Sequence, residues 1–333
     1  LIFILFVNSF IFPNSSISVK KNITSLLNST SITLFNDNIL VATSGGIYSI
    51  FDNVYEVHND DLFVYDIACM QIDYNQNLWI GTNSYGIIQI LDSSYNLINK
   101  IDSPSFDEII DIVFTNDYAY SIVIDQGDYK IVRYSIEDMK YIDTMNINST
   151  AIYDIKISED LIYVGTADGL FSANLIDEDF LDMNLFWSGP DLSNYKIIAL
   201  NVSLDQKVYI AELNDIYYIG NLEQISEVPF QTSINNDIIE VIDVNDNLYV
   251  LTSSNFYLFD DFNEPLQPYF PLPMHNYSLS NFFTSYSYLD GIHYFCLENS
   301  GVLRLENNSW DLIIPNTIFR NKFEAITFEN NKL

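Results

Sequence analysis

The chain is built from short apolar runs separated by turns rich in Gly, Asn, Asp and Ser, and one such pattern recurs along it. Each copy contains an apolar anchor, an aromatic or apolar residue, a small pair that often includes Thr, a turn, and a second apolar run. Successive anchors lie 38 to 46 residues apart, at Leu40, Leu78, Ala119, Ile162, Val208, Leu248, Ile292 and Leu333. This period matches the four strands of a propeller blade.

Each copy also divides into four predicted strands. The innermost strands are the apolar runs that precede the anchors: IACMQI, IIDIVF, IYDIKI, IIALNV, IIEVIDV, FFTSYSY and FEAITF. The anchor segment is the second strand, the run after the turn is the third, and a shorter stretch is the fourth. Several strands are apolar at consecutive positions, which is typical of strands buried on both faces. The pattern predicts an all-β protein, a β-propeller of about seven four-stranded blades over residues 20–322.

The two ends of the chain carry separate predictions. Residues 1–19 begin with twelve nearly all apolar residues followed by small polar ones, which resembles a secretory signal that has lost its start. Residues 323–333 read as the start of a further, truncated repeat. Two ways of closing the ring remain open: residues 19–27 add an outer strand to the last blade, or later sequence completes it.

Charge narrows the choice of partners. The chain has 13 Lys and Arg residues against 45 Asp and Glu residues, a formal net charge of −32. This excludes nucleic acid, whose phosphates require basic side chains, and direct binding to anionic membranes. The abundant Tyr and Phe residues argue against a disordered acidic chain. Glycans, proteins and other domains of the same polypeptide remain as partners.

Candidate chemistry is sparse, and we expect a binding protein rather than an enzyme. The three histidines, His58, His275 and His293, lie far apart in sequence and form no recognisable metal or proton-transfer motif. No nucleophile, metalloprotease or phosphate-binding motif is present. No cofactor is expected, although clustered carboxylates such as Asp60–Asp61 would suit Ca²⁺. Cys69 and Cys296 lie in apolar runs and read as buried thiols.

The candidate binding residues lie in the turns between second and third strands, which a propeller presents on one rim. These turns are short, polar and acidic, and they suit hydrogen bonding to a sugar or a peptide backbone better than catalysis. The candidates are Ser44, Asn83, Ser84, Asp125, Asp128, Asp168, Asn214, Asp215, Asn255 and Asn299. No residues are assigned to a metal site.

The segments LWIGTNSYGI, LIYVGTADGLF and ILVATSGGIYSI resemble the repeats of two-component-regulator-type propellers. The matching residues are Trp79, Gly81, Thr82, Gly165, Thr166, Gly169 and Leu170, while the third and fifth copies depart from the pattern. A narrower resemblance is to the N-terminal propeller region of PorZ-type proteins of the type IX secretion system. It rests on the secretory start, the early ATSGGIYSI, and TADGLFSANL followed by Leu185-Phe-Trp187.

These resemblances imply an extracytoplasmic protein, periplasmic, cell-surface or secreted. The first hypothesis is a binding or assembly propeller of a larger secretion-system or cell-surface protein that recognises a glycan or a protein. The alternative is the periplasmic sensor propeller of a hybrid two-component histidine kinase. A third reading, a polysaccharide-active propeller enzyme, requires acidic or His side chains that converge on the central channel.

Overall fold

The computed structural model describes residues 24–51, 54–147, 149–158, 161–175, 184–185, 196–202, 208–212, 215–220, 224–228, 238–244, 247–253, 255–259, 267–268 and 283–315. Within these ranges every regular element is a strand, and none forms a helix long enough to cross a membrane. The predicted signal remnant, residues 1–19, and the predicted further repeat, residues 323–333, lie outside the described residues.

The described strands form seven four-stranded antiparallel sheets, each made from four strands consecutive in the chain. The first three sheets contain β1 (Ser29–Phe35), β2 (Asn38–Thr43), β3 (Gly46–Phe51) and β4 (Val54–Val57); β5 (Ile67–Ile72), β6 (Leu78–Thr82), β7 (Ile88–Leu91) and β8 (Leu97–Ile101); and β9 (Glu108–Phe114), β10 (Tyr118–Asp125), β11 (Asp128–Ser135) and β12 (Lys140–Asn146).

The fourth and fifth sheets contain β13 (Ile152–Ser158), β14 (Leu161–Thr166), β15 (Gly169–Asn174) and β16 (Asn184–Leu185); and β17 (Ala199–Val202), β18 (Val208–Glu212), β19 (Asp215–Gly220) and β20 (Gln224–Val228). The last two contain β21 (Ile238–Val244), β22 (Asn247–Thr252), β23 (Phe256–Phe259) and β24 (Gln267–Pro268); and β25 (Phe283–Leu289), β26 (Ile292–Leu297), β27 (Gly301–Glu306) and β28 (Ser309–Ile313).

The predicted all-β propeller of about seven blades is therefore confirmed. The first seven apolar anchors each lie in the second strand of a sheet, as the repeat predicted. In the second to sixth sheets an aromatic residue follows the anchor and is buried between neighbouring sheets, and Trp79 is fully buried there; in the first sheet the residue after the anchor is Val41. His293, which follows the anchor Ile292, is also buried. The strand register nevertheless gives the position equivalent to Trp79 to Tyr294, because Cys296 pairs with Ser285 as Gly81 pairs with Cys69. These residues pack the core, because each blade covers its apolar faces with the next blade.

Seven apolar clusters hold the ring together, one for each pair of neighbouring sheets in the described residues. One of them joins the first and last sheets, with Val41 and Tyr48 packed against Cys296 and Val302. The seventh sheet has its own outer strand, β28, and residues 24–27, the described part of the predicted closing segment, form no strand. Closure instead uses face-to-face packing together with a backbone bond from Gly301 N–H to Leu27 O of 3.0 Å.

Small residues are required where the sheets approach most closely. A Cβ atom added to Gly81 in β6 would lie 2.6 Å from Ile109 of the next sheet and 2.7 Å from the sulfur of Cys69. Both cysteines are free and buried, as predicted. Burial raises the pKa of the Cys69 thiol, so this side chain acts as a small apolar group and not as a nucleophile.

Candidate functional site

The predicted rim residues come together at the turns between second and third strands. Eight of them lie in or directly beside these turns: Ser44, Asn83, Ser84, Asp125, Asp128, Asp168, Asn255 and Asn299. Asp215 begins β19, and Asn214 lies outside the described residues. Consecutive hairpins in each sheet place these turns, and the connections between sheets, on the same rim.

A buried threonine closes four of these turns. Thr43 Oγ1 donates a hydrogen bond to Gly46 O at 2.9 Å and accepts one from Gly45 N–H at 3.0 Å. The same arrangement, a hydroxyl bonded to backbone groups across the turn, recurs at Thr82, Thr166 and Thr252. The recurrent Thr of the repeat therefore has a structural role, which is to satisfy backbone groups that a tight turn leaves unpaired.

The rim of the second sheet is tied down by Asp66, which precedes β5. Its Oδ1 accepts a hydrogen bond from Asn83 Nδ2 at 3.1 Å, and its Oδ2 accepts one from Ser84 Oγ at 2.9 Å. The backbone N–H of Asn83 also donates to Asp66 O at 3.0 Å. Two predicted binding residues thus hold their own turn in place.

Other predicted rim carboxylates also have partners within the protein. Asp168 Oδ2 accepts hydrogen bonds from Ser149 Oγ at 2.7 Å and from Thr150 N–H at 3.0 Å. The backbone bond from Thr150, then that from Ser149, lowers the pKa of Asp168. Asp125 pairs with Lys130 at 2.6 Å. The rim turns described above are consequently held in place by hydrogen bonds and an ion pair within the protein.

A second polar site, which the sequence analysis missed, lies on the innermost strands. In six of the seven sheets the pairing of the first and second strands shifts register near the start of the innermost strand, as at a β-bulge. The residue that follows the shift occupies one equivalent position around the ring: Ser31, Cys69, Asp111, Asp154, Glu240 and Ser285. Bulges re-aim side chains in this way and are common beside functional sites.

Three of these positions carry carboxylates, and Lys156 lies among them. Lys156 Nζ donates to Asp154 Oδ1 at 2.7 Å and also interacts electrostatically with Asp111 and Glu240. Asp154 Oδ2 accepts a bond of 2.7 Å from the N–H of Leu200, which belongs to the next sheet. We call Asp111, Asp154, Lys156 and Glu240 the channel cluster. It contains three acids and one base on the innermost strands of the third, fourth and sixth sheets.

The channel cluster has unusual titration behaviour. Burial raises the pKa of Glu240 to about 7, with Lys156 opposing the shift and Asp154 adding to it. Burial likewise raises the pKa of Asp111 to about 6. Burial alone would lower the pKa of Lys156, but the Asp154 and Asp111 carboxylates outweigh it and raise that pKa. The side chains keep some contact with solvent while protein surrounds them, and this partial burial is the main cause of the raised pKa values of Glu240 and Asp111.

The signal for this cluster was present in the sequence. The runs IIDIVF, IYDIKI and IIEVIDV each place an acid at the third position of a mainly apolar innermost strand. A buried acid that recurs at one register position indicates a shared environment, whereas rim acids are common in any acidic chain.

The described histidines do not form a catalytic or metal centre. His58 Nε2 lies 2.8 Å from Ser49 Oγ, and its ring stacks on Tyr95 with centroids 3.7 Å apart. His293 Nδ1 lies 2.8 Å from Tyr286 Oη, and burial lowers the pKa of His293 to about 4. His275 lies outside the described residues. Nowhere in the described part of the chain do three His, Cys, Asp or Glu side chains form a group that could hold a metal ion.

Comparisons of sequence identify no relatives. No family model matches the chain, and no curated protein resembles it in sequence.

Comparisons of structure find propellers of several kinds. The extracellular domain of the hybrid two-component system BT4673 of B. thetaiotaomicron superposes with a TM-score of 0.65 and 17% identity, over 85% of this chain and 38% of that one. PorZ, a surface component of the type IX secretion system of Porphyromonas gingivalis, gives a TM-score of 0.67 and 12% identity, over 93% and 41%. Virginiamycin B lyase from Staphylococcus aureus gives 0.66 and 14%, over 84% and 94%.

The chain therefore spans about two fifths of the BT4673 and PorZ chains and nearly the whole of the lyase. The two resemblances predicted from the sequence, to two-component-regulator-type propellers and to the PorZ-type propeller region, are both confirmed among these structures. At these identities the likeness concerns the fold. The chain shares the β-propeller fold of two-component-system extracellular domains and of PorZ.

Proposed function

We propose that this chain is an extracytoplasmic binding or assembly propeller of a larger secretion-system or cell-surface protein, and that its rim recognises a glycan or a protein partner. The observation that carries the proposal is the locked rim, in which Thr43, Thr82, Thr166, Thr252 and Asp66 bond the turns internally. A surface already held in one conformation loses little entropy on binding, which favours recognition.

Two structural neighbours support the proposed extracytoplasmic location and the proposed membership of a larger protein. One is described as the extracellular domain of a two-component system and the other as a bacterial surface component of a secretion system. Both chains are more than twice as long as the part this chain matches, which supports further domains in the same polypeptide. The alternative, a sensor propeller of a hybrid histidine kinase, predicts a membrane span and a kinase region after Leu333 in the gene.

Charge defines how partners should behave. With a net charge of −32, the chain should repel nucleic acids, anionic membranes and polyanionic glycans. Binding to an anionic glycan should depend on a bridging divalent cation such as Ca²⁺, and binding to a basic protein should weaken as salt rises. Calorimetric titrations with and without chelator, and at two salt concentrations, test both expectations. Tight binding of a polyanion that is insensitive to chelator would contradict them.

The rim itself can be tested directly. The 333-residue chain would be applied to arrays of neutral and anionic oligosaccharides and to surface proteins immobilised under the same conditions. Asp66→Ala should loosen the Asn83–Ser84 turn and weaken the interaction found, while the chain remains folded. Binding unaffected by substitutions at Asp66, Asn83 and Asp168 would remove the rim from the proposal.

A second candidate function is polysaccharide cleavage in the central channel. The channel cluster favours it, because carboxyl groups with a raised pKa, here Asp111 and Glu240, are the groups that acid–base catalysis uses. The cluster also has a structural explanation, since Asp154 and Glu240 accept backbone N–H bonds from the next sheet. Glu240→Gln decides between them. Loss of a measurable hydrolytic or lyase activity in a folded variant would establish the enzyme, and absence of activity in the parent chain on a broad polysaccharide panel would reject it.

A further inference from the structure

We propose that Tyr85 is a stacking platform for a sugar ring on the rim of the second sheet, and that the ligand class is an uncharged carbohydrate. This inference rests on the proposed rim function and adds to it a contact residue and a ligand class.

The first observation is that Tyr85 has an exposed aromatic ring and a backbone conformation that is unfavourable for a tyrosine. Tyr85 lies in the β6–β7 turn with 73% of its surface exposed and a φ of +69°. Bulky residues avoid this left-handed region, where Gly or Asn is the ordinary choice. No side chain of the described residues stacks on the ring or bonds to it, so packing within the described part of the chain does not account for a tyrosine here.

Tyr95 provides the internal comparison. It also has a positive φ, +65°, but it lies in the β7–β8 turn and its ring stacks on His58 at 3.7 Å and meets Phe35 edge to face at 5.4 Å. Packing therefore accounts for the backbone of Tyr95. The same account fails for Tyr85, and residues held in an unfavourable conformation without a packing reason point to a functional one.

The second observation is that the turn presents the ring rigidly. The preceding residues, Asn83 and Ser84, bond to the Asp66 carboxylate at 3.1 and 2.9 Å. The following residue, Gly86, lies so close to the backbone of Phe106 that an added Cβ would be 2.4 Å from its carbonyl oxygen. The turn is thus fixed on both sides of Tyr85, and the ring projects from a surface that does not need to reorganise.

The surroundings favour a sugar over a protein. A stable protein interface needs about 800 Å² per partner with an apolar centre. Among the described turns between second and third strands, Tyr85 is the one large apolar side chain exposed to solvent, and the described connections between sheets, which share this rim, add only the scattered Phe63 and Ile314. One aromatic face beside carboxylate, hydroxyl and amide groups instead matches a pyranose, which has an apolar C–H face and a rim of hydroxyl groups.

Charge narrows the class to uncharged carbohydrates. The Asp66 carboxylate lies beside the ring-bearing turn, and the whole chain has a net charge of −32. An anionic sugar would meet repulsion at this point, whereas a neutral one can donate hydroxyl protons to Asp66 and Ser84.

The experiment compares two exposed tyrosines on opposite edges of the same sheet. Tyr74, 64% exposed, lies in the β5–β6 turn at the edge away from the rim and serves as the matched control. The 333-residue chain is screened against an array of neutral cello-, xylo-, manno- and malto-oligosaccharides, and the strongest binder is titrated by calorimetry. Tyr85→Ala should weaken its binding about tenfold or more, Tyr85→Phe should retain it, and Tyr74→Ala should leave it unchanged.

A stability measurement gives an independent readout. Tyr85→Gly should raise the melting temperature slightly, because it relieves the backbone, while it abolishes binding. A lower melting temperature would show that the ring packs after all and would overturn the proposal. So would a neutral oligosaccharide whose affinity is unchanged in Tyr85→Ala, although the proposed rim function would stand if other rim substitutions weakened it. If a protein binds the rim and no neutral oligosaccharide does, the sugar assignment alone fails.

Discussion

The rim and the channel of this propeller both carry acidic side chains, but their surroundings shift the pKa of these side chains in opposite directions. On the rim, Asp168 is solvated and accepts hydrogen bonds from Thr150 and Ser149, which lower its pKa. In the channel, Glu240 is surrounded by protein and its pKa is raised to about 7. Net charge alone does not distinguish the two groups. The difference shows that the local environment of a carboxylate decides whether it stays charged near neutral pH, and that the number of acidic residues in the chain does not.

The largest expected effect comes from removing the single base of the channel cluster. Lys156→Met leaves Asp111, Asp154 and Glu240 without their cation and should destabilise the chain by roughly 2–4 kcal/mol at pH 8. This range lies below the value for a fully buried pair, because about a third of the Lys156 side chain is exposed (32%). Urea unfolding would measure it.

The same variant should lose less stability at pH 5, where the acids with raised pKa bind protons. Lys130→Met is the matched control, since it breaks the rim pair with Asp125 and should cost about 0–1 kcal/mol at either pH. Equal losses for the two lysine variants would mean that the channel and the rim do not differ as described.

The next largest effect is the change in folding stability with pH that arises from Glu240. Because the folded-state pKa of Glu240 lies above its unfolded value, the folded chain binds more protons than the unfolded chain between about pH 4.3 and 7. Stability from this group is complete below that window and is lost as pH rises through it. Glu240→Gln should therefore flatten the decline, and the difference between the two unfolding profiles should reach the order of 2 kcal/mol at pH 8.

Rim locking should contribute less to stability. Asp66→Asn removes the charge that receives bonds from Asn83 and Ser84 while keeping the shape of the side chain. We expect a loss of about 1 kcal/mol in the free energy of unfolding, together with faster hydrogen exchange in the β6–β7 turn. Unchanged exchange there would show that Thr82 alone holds the turn.

The smallest effect is expected at Asp168. Its lowered pKa contributes stability that is present above its unfolded pKa and is lost as pH falls through the folded value, opposite in sign to Glu240. Asp168→Asn should change stability at pH 7 by about 0.5 kcal/mol or less and should remove a small acid-side dependence. Chemical-shift titration of the Asp168 carboxyl by NMR checks the direction, and a raised pKa there would erase the contrast with the channel.

Local pattern was sufficient for the blade and for its turns. The anchors of the repeat predicted the second strands, and the glycine and threonine positions predicted tight turns, because strand burial and turn geometry depend on residues a few positions apart. The innermost strand of the first sheet, Ser29–Phe35, was not singled out, since its run STSITLF is too polar to be recognised as apolar. The rim candidates were placed on the turns, but their bonding partners were not foreseen.

Sequence by itself determined an acidic, all-β chain of about seven four-stranded repeats with short polar turns on one rim. The tertiary structure decided how the ring closes and which charged residues meet inside it. Asp111, Asp154 and Glu240 come from three different repeats, and only the circular arrangement brings them to the same channel with Lys156. The reason is physical: strand pattern depends on near neighbours, whereas the field around a buried carboxylate depends on groups far apart in the chain.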